Sequence, residues 1–142
     1  MDKNKIIFVK EYSCNLQALW EALTKPEALS QWLDGIENYE LKQGGKFTYT
    51  ISGEVLKCEV KEVFLYHKLV YSMKFPNTPN KSTITFLFNA MNNPKYSQLM
   101  LKHKKIDALP QNNDVFSKEN LELEWKRLLE EDLLNYINNQ IV

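Results

Sequence analysis

Residues 47–75 read FTYTISGEVLKCEVKEVFLYHKLVYSMKF. Phe47, Tyr49 and Ile51 alternate with Thr48 and Thr50, and Ser52-Gly53 then offers a tight turn. Leu56, Cys58 and Val60 alternate with Lys57, Glu59 and Lys61, and Leu69, Tyr71, Met73 and Phe75 repeat the pattern. A period of two in successive runs joined by short turns predicts antiparallel strands with one apolar face.

Working outward, Ile84, Phe86 and Phe88 make another alternating set, and Leu99, Leu101 and His103 share one face of a last strand. Upstream, Tyr39 to Lys42 reads as a short strand ending at Gly44-Gly45, and Ile6 to Tyr12 as a first strand. That makes seven strands in a meander. Leu16, Leu19, Trp20 and Leu23 recur at helical spacing, predicting a short helix over Asn15 to Leu23. Thr24-Lys25-Pro26-Glu27 reads as a capping box opening a second short helix that carries Ala28, Leu29 and Trp32 to Gly35. Ile106 to Phe116 is irregular. Ser117 then caps a long helix to about Asn139, with Leu121, Trp125, Leu128, Leu129, Leu133, Tyr136 and Ile137 as its apolar stripe.

The class is therefore α+β, with one apolar sheet face buried against one amphipathic helix. A single helix is about 10 Å across and does not fill the concave side of a seven-stranded sheet. The leftover space is taken by large side chains or by a pocket of the usual ligand-site size, roughly 300–1,000 Å³.

Composition narrows the function. The 142 residues suit one domain, 1–142, at 44% hydrophobic and 25% charged. Eighteen basic and eighteen acidic residues cancel, and Arg127 is the sole arginine, which argues against a nucleic-acid partner. Cys14 and Cys58 have no second Cys or His at ligand spacing, so no metal or other cofactor is expected. No run approaches the ~18 apolar residues of a membrane span, and the short apolar run at the start does not make a signal peptide. The expectation is a cytoplasmic protein, monomeric or a weak homodimer.

The stretch LWEALTKPEALSQWL, with Leu19-Trp20, the Thr24–Glu27 corner and Trp32, resembles the family related to the activator of the ninety-kilodalton heat-shock protein ATPase. Gly44-Gly45 with Phe47, Gly53-Glu54-Val55, Ser82–Phe86, Leu99–His103 and Trp125–Leu129 continue the likeness in order. The resemblance implies membership of the superfamily of the birch pollen allergen and the steroidogenic lipid-transfer domains. It also implies a helix-grip fold: a curved seven-stranded antiparallel sheet around a long C-terminal helix, with two short helices between strands 1 and 2. After His103 the chain reads Lys104-Lys105-Ile106, where that family usually has a small residue, Gly and an aromatic, so the loop at the cavity mouth differs. One branch of the family stimulates the chaperone's ATPase using a separate N-terminal domain, which this chain is too short to hold.

No catalytic residue is assigned. His103 points inward, but a general base needs a positioned partner and none can be named. A core histidine bonded to a neighbouring hydroxyl or backbone group is the simpler reading. His67 sits in a turn, and no two carboxylates share a predictable face. The remaining signal is the inward aromatic set. The expected site is a central cavity lined by Trp32, Phe47, Tyr49, Tyr71, Met73, Phe86, His103, Trp125 and Leu129, holding a small apolar or amphipathic molecule without covalent chemistry. Burying ~300 Å² of apolar ligand contributes about 7 kcal/mol before association costs. The alternatives are a chaperone-associated interaction module, which would show an exposed apolar patch, and a cavity enzyme of cyclase or hydrolase type.

Overall fold

The structure, a computed structural model, describes residues 4–33, 35–37 and 39–140. Seven antiparallel strands form one sheet in the order β1-β7-β6-β5-β4-β3-β2. They are β1 (Lys5–Tyr12), β2 (Ile36–Glu37), β3 (Lys46–Ile51), β4 (Glu54–Phe64), β5 (Lys68–Lys74), β6 (Ser82–Ala90) and β7 (Ser97–Lys104). Strands β2 to β7 run as a meander, while β1 crosses to pair with β7, placing Ile6 opposite His103 and Val9 opposite Met100. A bulge between Val60 and Glu62 breaks the β4–β5 register and bends that strand. The type of turn at Ser52-Gly53 is set by positive φ at both residues, 49° and 85°.

The helices α1 (Leu16–Thr24) and α2 (Pro26–Trp32) stand between β1 and β2. Asn15 caps α1 by accepting from the Ala18 N–H at 2.8 Å. The expected capping box is not formed: Thr24 closes α1, and its hydroxyl donates back to the Trp20 carbonyl at 2.7 Å. Lys25 is the N-cap of α2 and makes no side-chain cap bond. A threonine that still sits in the preceding helix spends its hydroxyl on the carbonyl four residues back. The second strand also moves: it is Ile36–Glu37, and Tyr39 to Lys42 form a loop. Gly35 explains the shift, because its φ of +87° turns the chain sharply and its carbonyl accepts from Thr50 N–H at 2.9 Å. A Cβ there would lie 2.7 Å from the Thr50 carbonyl oxygen, so only glycine fits this approach.

The Ile106 to Phe116 segment holds two 3₁₀ turns, Ile106–Ala108 and Asp114–Phe116. The C-terminal helix follows, capped by Ser117, which accepts from Asn120 N–H at 3.2 Å. It begins as α3 (Lys118–Arg127), widens into a π-helical segment (Leu128–Asp132) and closes as α4 (Leu133–Gln140). In the wide segment the Leu133 N–H reaches the Leu128 carbonyl five residues back. The buried Tyr12 hydroxyl donates to the Leu129 carbonyl at 2.7 Å, tying the end of β1 to this segment. Arg127 brackets the same turn from outside, donating to Glu124 and Asp132.

Candidate functional site

The inner face of the sheet and the C-terminal helix enclose a ladder of rings. Tyr39 meets Phe47 edge to face at 5.0 Å, Phe47 meets Tyr71 at 5.3 Å, and Tyr71 lies 5.8 Å from Phe86. Phe86 meets Trp125 at 5.9 Å, and Trp125 meets His103 at 6.0 Å. Edge-to-face pairing sets positive ring edges against negative faces and adds to the burial of each ring.

At the inner end every polar atom is matched. The Trp125 Nε1–H donates to His103 Nδ1 at 3.1 Å. An indole nitrogen only donates, so Nδ1 is bare and the imidazole proton sits on Nε2. Nε2 lies 3.0 Å from Ser82 Oγ, whose hydroxyl donates to the Met73 carbonyl at 3.3 Å. Burial holds His103 neutral, with its pKa lowered to about 4. The expectation of an inward histidine bonded to a neighbouring hydroxyl matches this geometry. Its bonds are all spent on the core.

At the outer end a cavity opens toward α2 and β2. Its floor is Phe47 and Tyr49 from β3, Tyr71 and Met73 from β5, and Phe86 from β6. Trp125 and Leu128 from the C-terminal helix form one wall, and Leu23 of α1 with Leu29 and Trp32 of α2 the other. Leu33, Ile36 and Tyr39 cover it. Trp32 is held by its indole N–H, which donates to the Ala22 carbonyl at 2.8 Å. Among the described residues no lining side chain carries a charge. The rings fill most of the room: about 30 Å³ is left for the centre of a water-sized sphere, enough for about two waters and far below a ligand's volume.

Seven of the nine residues expected at the cavity line it. His103 lies below Trp125 at the far end of the ladder, and Leu129 is buried elsewhere, its carbonyl bonded to Tyr12. Six further residues line it that were not expected there: Leu23, Leu29, Leu33, Ile36, Tyr39 and Leu128. A strand expected over Tyr39 to Lys42 hid Ile36 and Tyr39, and the glycine at 35 is the signal that would have found the turn.

The Tyr39 hydroxyl is buried without a hydrogen-bond partner among the described residues. Burial pushes the Tyr39, Tyr49 and Tyr71 hydroxyls above the usual phenol range, so all three stay protonated. Burial likewise takes the Cys58 thiol up to about 12, which leaves it unreactive. Among the described residues no group of three His, Cys, Asp or Glu side chains could hold a metal, and no helix is long and apolar enough to cross a membrane. On the outer sheet face, Ile7 and Val9 are about half exposed, with Met100 opposite Val9 and Leu87 opposite Met100.

Residues 13–134 match the family model described as Activator of Hsp90 ATPase homolog 1-like protein. No curated protein matches the chain. Among solved structures, protein MLL2253 from Mesorhizobium loti is 20% identical, with a TM-score of 0.78 over 95% of this chain and 97% of that one. Protein CV1439 from Chromobacterium violaceum is 21% identical, with a TM-score of 0.71 over 94% and 96% of the two chains. PFC0360w, an HSP90 activator from Plasmodium falciparum, is 26% identical, with a TM-score of 0.71 over 97% and 96%.

Proposed function

This chain belongs to the Activator of Hsp90 ATPase homolog 1-like family, and from that premise we propose that it binds a small, mainly apolar molecule non-covalently in its central cavity. The observation that carries the reading is the Tyr39 hydroxyl, left without a partner among the described residues inside a wall of rings. A buried orphan hydroxyl costs about 1–3 kcal/mol, an expense a purely structural core avoids. With room for only about two waters, the state described is the closed one, and the cover of Leu33, Ile36 and Tyr39 must move for a ligand to enter. That cover is lightly held: β2 has two residues and α2 has no side-chain cap.

The three tryptophans provide the test. Trp32 and Trp125 line the cavity, whereas Trp20 packs against Phe88 and Tyr66 away from it. Titrating with naphthalene should move the indole N–H resonances of Trp32 and Trp125 saturably and leave Trp20 in place. No saturable shift, or a shift led by Trp20, overturns the reading.

A second reading is a protein-interaction module acting on an Hsp90-type chaperone. It is favoured by the likeness to the Plasmodium falciparum activator, which runs nearly end to end on both chains. Stimulation of a purified Hsp90 ATPase by the whole chain would support it, and no change at saturating protein would remove it.

A further inference from the structure

The cavity's chemistry restricts what can occupy it, and the restriction rests on the cavity-binding reading above. Among the described residues the lining holds no charged side chain, so an ionised carboxylate or phosphate entering there would lose its hydration with no cation to replace it. The orphan at the mouth is a phenol, a group that carries one O–H donor. The phenol oxygen can also accept, but a buried donor left without an acceptor is the rarer of the two kinds of orphan in folded proteins. Tyr39 touches Phe47 edge to face at 5.0 Å, and Phe47 meets Tyr71 likewise at 5.3 Å. A flat ring entering from the mouth would therefore meet ring edges and faces on its way in.

We infer that the cavity takes neutral ring compounds bearing one hydrogen-bond-accepting oxygen, which receives the Tyr39 hydroxyl, and that it rejects fatty acids and phosphate-bearing lipids. The ring sits among Phe47, Tyr71 and Trp125, and the oxygen faces the mouth. Tyr49 and Tyr71 supply further phenols in the same lining, but among the described residues Tyr39 is the one whose hydroxyl is both buried and unpartnered.

Three probes of one shape test this: 2-acetylnaphthalene, 2-ethylnaphthalene and 2-naphthoate, titrated against the whole chain and against Tyr39→Phe, with dissociation constants read from the Trp32 and Trp125 indole N–H shifts. The variant removes only an unpaired hydroxyl, and circular dichroism checks its fold. The ketone should lose about fivefold or more in affinity on Tyr39→Phe, while the hydrocarbon stays within about twofold. The naphthoate should bind at least about tenfold more weakly than the ketone to the natural chain. If the ketone keeps its affinity in Tyr39→Phe, or the naphthoate binds as well as the ketone, the inference fails while cavity binding stands. If none of the three binds, the cavity reading itself fails.

Discussion

The two ends of the ring ladder are built on opposite plans. At the inner end Trp125, His103, Ser82 and the Met73 carbonyl form a chain in which each donor has an acceptor. At the outer end Tyr39 presents a hydroxyl with no partner among the described residues, under a cover of one short helix and a two-residue strand. Satisfied networks rigidify a core, and unsatisfied ones mark places where something else belongs. The inner end therefore anchors the helix on the sheet, and the outer end is where the proposed ligand would enter.

Replacing residues along the ladder should show this asymmetry directly. The largest effect is expected for Trp125→Ala, which removes a ring wedged against Phe86 and orphans His103 Nδ1. A loss of about 3–5 kcal/mol in urea unfolding is expected, and a loss below about 1 kcal/mol would refute the anchoring role.

Acid should strike the same end. The folded pKa of His103 is about 4, below the 6.5 of an ordinary imidazole, so the unfolded chain takes up the proton first. Stability is then fully present above about pH 6.5 and falls as pH drops toward 4, by about 3 kcal/mol in all. Unfolding free energies measured across that range should show the slope, and His103→Leu should flatten it.

Ser82→Ala comes next. It leaves the His103 Nε2–H without an acceptor and should cost about 1–3 kcal/mol by chemical denaturation. Tyr39→Phe, at the other end, should leave stability unchanged or raise it by about 1 kcal/mol, because it deletes a buried group that has no partner among the described residues. A clear loss there would make the two ends alike and erase the contrast.

Strand parity was legible in the sequence because burial of one face forces a period of two: Phe47, Tyr49, Tyr71, Met73 and Phe86 all lie inward, as alternation requires. His103 facing inward was legible for the same reason. Its bond to Trp125 was not, because that depends on how the helix rotates against the sheet, and periodicity carries no information about docking. Leu128 and Leu129 illustrate the point: both belong to the apolar stripe, yet only Leu128 lines the cavity. The size of the void was also out of reach, since a few rotamers decide whether seven large side chains fill a space or surround one. The turn at Gly35 was misplaced because a glycine after Trp32-Leu33-Asp34 reads equally well as a helix end or a strand start.

The seating of β1 against β7 bears on how the molecule is made. Ile6 finds its neighbour His103 only near the end of the meander, and Tyr12 its acceptor at Leu129 later still. At about 5–20 residues per second of synthesis, the first strand spends roughly 5–20 s with its backbone edge unmatched and its apolar side chains uncovered. The first strand of the sheet is thus among the last to be enclosed, and for that interval its open edge is exposed to capture by a chaperone or by another copy of itself.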